Sequence, residues 1–148
     1  MNAENYSRTL LQILRQHTAE ALTQMQKINS GLPEKATGIA IGVHPNQEPD
    51  GMFSILVHLE GSDLYSINKA IDGHRYLFDV QFKDGELTPK VPLFDPFDTE
   101  FEVNDIIVDT SVIWLKEIWS KIDDVGHSLP VTVFGDEYYG TITPATIR

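Results

Sequence analysis

Apolar side chains in the first thirty residues recur at helical spacing. Leu10, Leu14, His17, Ala21, Met25 and Ile28 follow one another at steps of four and three, and Leu11, Ile13 and Leu22 widen the stripe. This pattern predicts one amphipathic helix, ended by Gly31 and Pro33. In "KATGIAIGVH" the period becomes two. Ile39, Ile41 and Val43 fall on one face and Gly38, Ala40, Gly42 and His44 on the other, which predicts a strand. Its small face is expected to let a helix pack close. "HPNQEPDG" (44–51) is turn-forming throughout. "MFSILVHLE" then resumes the alternation through Phe53, Ile55, Val57 and Leu59, so the two strands are expected to pair as a hairpin.

"GSDLYSINKAIDG" returns to helical spacing, with Ser62 or Asp63 as N-cap, Leu64, Ile67 and Ile71 on one face, and Gly73 as the stop. "RYLFDVQF" alternates through Tyr76, Phe78, Val80 and Phe82, and the Asp-Gly of "KDGE" predicts a tight hairpin. The returning strand, Leu87 to Val91, contains Pro89. Proline cannot donate to a ladder, so an edge strand is expected. After a connection over 92–104, a long helix is predicted from about Asp105 to Ile122. Asn104 is its expected N-cap, and Glu117 and Lys121 form an i,i+4 pair. Apolar residues, Trp114 and Trp119 among them, cover most of its circumference, so the helix should be buried. "VTVFG" and "YGTITPATI" are expected to close the chain as a hairpin around "GDEY". The order α-ββ-α-ββ-α-ββ predicts a single α+β domain over 1–148. Its sheet should be mostly antiparallel, with five to six strands and helices packed on one face.

Charge narrows the choice of partners. Acidic residues number 22 against 11 basic ones, a net charge of −11. Such a field repels nucleic-acid phosphates and anionic membranes and attracts basic partners. No cysteine is present, which excludes disulfides, thiolate nucleophiles and Cys-ligated zinc. The N-terminus lacks the basic and apolar segments of a signal peptide, and no apolar run approaches the ~18 residues of a membrane span. A cytoplasmic location is expected.

Motifs that specify a chemistry are missing. The sequence contains no G-x-S-x-G, no glycine-rich phosphate loop and no HExxH, so no cofactor is expected. His17 reads as a core or boundary residue, His44 and His127 as solvated turn residues, and His74 as a helix-end cation favoured by the dipole. His58 is expected to project from its strand beside Glu60, a pair suited to acid–base chemistry.

The densest charge lies in "FDPFDTEFEVNDIIVD", 94–109, with six carboxylates, three phenylalanines and no lysine or arginine. An EF-hand fails here: counted from Asp95, its sixth and twelfth positions are Glu100 and Ile106. No metal site is expected. A helix start accounts for Asn104, Asp105 and Glu102, because acids near an N-terminus favour the dipole. It leaves Asp95, Asp98 and Glu100 without a role. Residues 84–124 hold eleven acids and three bases, whereas residues 1–30 hold two acids and three bases. Acids interleaved with aromatics suit a basic protein surface, since charge steers and aromatics anchor. "GDEYYG" offers a second acidic-aromatic tip. The expected partner-binding residues are Asp95, Asp98, Glu100, Glu102, Asp109, Asp136, Glu137, Tyr138 and Tyr139.

The stretches "LYSINKAIDGHRYLF" (64–78), "FEVNDIIVDTSVIWL" (101–115) and "LPVTVFGDEYYGTITP" (129–144) resemble a family of small bacterial cytoplasmic proteins of unknown function. That likeness implies no site residues. In size, acidity and build the chain is also similar to immunity proteins of bacterial toxin systems. The leading expectation is a non-enzymatic acidic binding protein, an immunity-type inhibitor of a basic toxin domain. One alternative is a small enzyme or ligand-binding domain using His58, Glu60 and His74. Another is a structural or oligomerisation module, which would leave an apolar face of the Trp114–Trp119 helix uncovered.

Overall fold

A computed structural model describes residues 1–148. The chain runs α1 (Ala3–Gln16), α2 (Thr18–Ser30), β1 (Ala36–Pro45), β2 (Phe53–Gly61), α3 (Leu64–Lys69), β3 (Tyr76–Asp79), β4 (Gln81–Lys83), β5 (Glu86–Thr88), α4 (Val103–Ser120), β6 (Val131–Gly135) and β7 (Ala145–Thr146). Short 3-10 turns lie at Asp72–His74 and Asp136–Tyr138. The fold is α+β, as expected, but the sheet is mixed. Its order is β3-β2-β1-β6-β7, with β1 parallel to β6 and the other neighbours antiparallel. The hairpin β4–β5 stands apart as a second, two-stranded sheet.

The β1–β2 hairpin matches its alternation. Ile39, Ile41, Val43, Ile55, Val57, Leu59, Val131 and Val133 are all fully buried on one sheet face. They join Leu10, Leu14, Ala21, Met25, Ile28, Ile107, Val108, Val112, Trp114 and Ile118 of the helices in one core. The helix α4 contributes both tryptophans to that core and leaves only Ile113 half exposed among its large apolar residues. An oligomerising face on this helix is therefore not available.

Several expectations change. The N-terminal stripe is real, but the helix breaks at His17, whose φ of −103° and ψ of 10° end α1 and begin α2. Trp114 Nε1 donates to Thr18 Oγ1 at 3.0 Å, holding the second helix against α4. The small face of β1 meets no helix. A Cβ built on Gly42 would lie 2.5 Å from His44 Nε2 and 2.7 Å from Phe134 Cζ, so side chains of the sheet itself fill that space. Tyr76 to Phe82 is not one strand. Leu77 and Phe78 are both buried, and the ends of the run, Tyr76 and Phe82, are exposed. The returning strand stops at Thr88, before Pro89. Asn104 is not a cap: it lies inside α4, buried, and its Nδ2 donates to the Asn46 carbonyl at 2.8 Å. Asp63 precedes α3 without a capping bond, and Leu64 is exposed while Ile67 and Ile71 are buried. Glu117 accepts two hydrogen bonds from Arg15, at 2.9 and 2.8 Å, and Lys121 adds only the attraction of its charge. The final hairpin contracts to two residues of β7, because the chain from Asp136 to Pro144 forms an irregular tip around a 3-10 turn.

Candidate functional site

Three chain segments meet at the C-terminal end of β1: the 46–51 turn, the 94–104 connection and the 136–139 tip. Asn104 ties the start of α4 to Asn46, and Phe94 N donates to Asp50 O at 2.9 Å. Gln47 Nε2 reaches Glu137 Oε1 at 3.4 Å. The backbone of Gly51, at φ +101°, passes so close to the connection that an added Cβ would meet Pro92 O at 2.3 Å. No lysine or arginine occurs in 36–68, 91–115 or 122–147, so these three neighbours carry carboxylates alone.

The connection is pinned from below. Phe94 and Phe101 pack on the buried Tyr6 ring, with centroids 4.8 and 5.7 Å away, and on each other at 5.5 Å. Phe97 takes no part in this trio and is 88% exposed, between the exposed Asp95 and Asp98. Glu100 and Glu102 are exposed as well.

At the tip, Glu137 and Tyr138 both hold left-handed backbone, with φ of 53° and 62°. Such residues cost about 1–3 kcal/mol each and persist only where their surroundings enforce them. Here α4 does so. Asp105 Oδ1 accepts from Gly140 N at 2.7 Å, and Asp109 accepts from Thr141 N and Thr141 Oγ1 at 2.8 and 2.5 Å. The Asp109 carboxylate is thus engaged in holding the tip rather than offered to a partner. Tyr138 is 99% exposed, whereas Tyr139 is half-buried against the core. A groove of about 440 Å³ runs under the tip, lined by Phe134, Asp136, Glu137, Tyr138, Thr143 and Pro144.

Across the open face of the sheet, four side chains form a row. Arg75 NH2 lies 3.0 Å from His58 Nδ1, His58 Nε2 lies 3.2 Å from His44 Nε2, and His44 Nδ1 lies 3.3 Å from Asp136 Oδ2. The register places Ala40 opposite His58 and Ser54 opposite His44, so both rings project from the same face. Phe134 of β6 walls the row, its centroid 5.8 Å from His44 and 5.7 Å from His58. Burial, then the Arg75 charge, then His44 push the His58 imidazole down to about 4, with Asp136 pulling the other way.

The expected trio of His58, Glu60 and His74 does not form. The hydrogen bonds of His58 run to His44 and Arg75 instead. His44 is not a solvated turn residue, since it belongs to β1. A signal for it was present in the sequence: His44 and His58 occupy outward positions on two strands expected to pair. Nothing marked Arg75. His127 is engaged too, its Nε2 at 2.9 Å from Asn29 Oδ1 while its Nδ1 accepts from Leu129 N at 3.1 Å. No three His, Asp or Glu side chains converge as a metal-ligand set, and no helix is long and apolar enough to cross a membrane.

No curated protein and no solved structure matches the chain. A family model does match, over residues 1–148, and on that match the chain belongs to the Family of unknown function (DUF6389).

Proposed function

We propose that the protein is a non-enzymatic binding module whose acidic end docks a basic protein, in the manner of an immunity-type inhibitor of a bacterial toxin domain. One observation carries this reading: three segments free of lysine and arginine are fixed side by side, and two of them present an almost fully exposed aromatic residue, Phe97 and Tyr138. Complementary charge accelerates encounter and suppresses wrong partners, while exposed aromatics on rigid supports supply anchoring area at little entropic cost. The supports are rigid here. The Tyr6–Phe94–Phe101 trio holds one anchor and the Asp105 and Asp109 bonds hold the other. The partner-binding set becomes Asp95, Phe97, Asp98, Glu100, Glu102, Asp136, Glu137 and Tyr138. The groove beneath Tyr138, with Phe134 and two carboxylates in its wall, suits an inserted lysine or arginine side chain.

The test compares wild type with Asp95→Lys/Asp98→Lys/Glu100→Lys and with Phe97→Ala/Tyr138→Ala, each checked for folding by circular dichroism. The probe is a decalysine peptide at low salt. Both variants should bind it more weakly while staying folded. Equal affinity across all three proteins would overturn the reading.

A further inference from the structure

The row on the open sheet face has only one possible arrangement of protons while both imidazoles are neutral. A guanidinium donates and never accepts. Arg75 therefore donates to His58 Nδ1, and the His58 proton must sit on Nε2. That proton can only be given to His44 Nε2, so His44 carries its own proton on Nδ1, facing the Asp136 carboxylate. Each ring uses its single lone pair inside the row.

An added proton has two places to go, and both disrupt the row. On His58 Nδ1 it would oppose Arg75. On His44 Nε2 it would oppose the His58 Nε2 proton. The charged groups facing these rings are Asp136 at the tip, Arg75 after the 3-10 turn, and Asp72, whose carboxylate lies 3.8 Å from Arg75 NH1. Glu60 follows on the same strand face and Glu137 lies beside Asp136. β6 offers no charged group on this face, only Thr132 and the Phe134 ring. Of the two rings only His44 has a carboxylate in direct contact, so the added proton goes there.

We propose that Asp136, His44, His58 and Arg75 form a proton-operated gate on the acidic end. At neutral pH the row is closed and Asp136 keeps its full charge for a basic partner. On acidification His44 takes up a proton at Nε2, parts from His58 and neutralises Asp136. The geometry agrees with the depressed titration of His58, since burial and the Arg75 charge keep that second ring neutral. The gate regulates the acidic docking surface and rests on that proposed function for its purpose. Its chemistry is independent of any partner.

The experiment has two arms on the full-length protein. Histidine ¹⁵N spectra at pH 7.5 should show His58 protonated at Nε2 and His44 at Nδ1. Lowering the pH to 5.5 should shift the His44 signals first, together with the amides of Asp136 to Tyr139. The opposite tautomer in either ring, or tip amides that ignore the His44 titration, would overturn the gate whether or not anything binds. In the second arm, decalysine affinity at constant ionic strength should fall about two- to five-fold between pH 7.5 and 5.5, the effect of one exposed charge pair. His44→Gln should remove that fall. An equal fall in His44→Gln would overturn the gate, whereas absence of decalysine binding at both pH values would overturn the docking reading and leave the spectral arm standing.

Discussion

Glycine 42 is where the sheet makes room for the histidine row, and Gly42→Ala is the sharpest test of that packing. The added Cβ would lie 2.5 Å from His44 Nε2, 2.7 Å from Phe134 Cζ and 3.1 Å from His44 Cε1. Ordinary contact begins at roughly 3.5 Å, so the imidazole must retreat by about 1 Å. A retreat of that size breaks its 3.2 Å contact with His58, and Phe134 must yield as well. Overpacking of this kind costs about 1–3 kcal/mol, of which about 0.5–1.5 kcal/mol is the lost hydrogen bond. The two rings are ends of movable side chains rather than backbone, which places the expectation near the lower half of that range. Four residues away on the same face, Gly38 provides the control. The nearest atom to its added Cβ is Glu60 Oε2 at 3.2 Å, on an exposed carboxylate free to move. Gly38→Ala should therefore leave stability unchanged or raise it by up to about 1 kcal/mol through the unfolded chain. Urea unfolding measures both, as a change of midpoint at constant slope. Equal stability of the two variants, with histidine tautomers as in wild type, would show that the His44 ring is not seated over Gly42.

Two further outcomes follow from the same site. The His58 imidazole titrates at about 4 in the folded protein against its ordinary 6.5, so the native state takes up that proton less readily than the unfolded chain. Stability from this group is complete above about 6.5 and is lost as pH falls towards about 4. The loss is on the order of 1 kcal/mol after allowance for a half-exposed ring. His127, lowered by burial and by Arg148, adds to the same slope. His58→Gln should flatten the unfolding free energy against pH, and an unchanged slope would refute the assignment. Asp109→Ala removes the acceptor of Thr141 N and Ile142 N, at 2.8 and 3.3 Å. Those two amides should exchange with solvent roughly tenfold faster while α4 amides do not change. Retained protection at Thr141 would mean that another group holds the tip.

Much of the architecture was legible because burial follows period. Ile39, Ile41 and Val43 alternate with small residues, and the structure buries each of them against helices. Direction was not legible, because a strand with one buried face alternates in the same way whether its neighbour is parallel or antiparallel. The parallel seam between β1 and β6 arises from where α4 returns the chain. The break at His17 was hidden for a related reason: the apolar stripe continues across it, and the Thr18 bond to Trp114 comes from a helix about a hundred residues away. Asn104 has the chemistry of a cap, but a tertiary acceptor, the Asn46 carbonyl, claims its amide. At the candidate site, Asp95, Asp98 and Glu100 could be read from charge density alone. Asp109 could not be told apart from them, since only the fold shows its oxygens holding Thr141. The histidine row needed both strand parity and a side chain, Arg75, that no local pattern marks.

The seam between β1 and β6 also sets the order in which the sheet can assemble. β1 and β2 are joined by a short turn and can pair early, but Ile39 meets Val131 only after roughly 90 further residues have been made. At about 5–20 residues per second of synthesis, the second edge of the central strand stays unpaired for several seconds. Contacts of such long sequence separation close slowly in refolding too. Until residues 131–135 arrive, β1 offers its free ladder to any strand nearby, including the same segment of another copy. The seam that completes the sheet is therefore where exchange of β6 between two chains would begin.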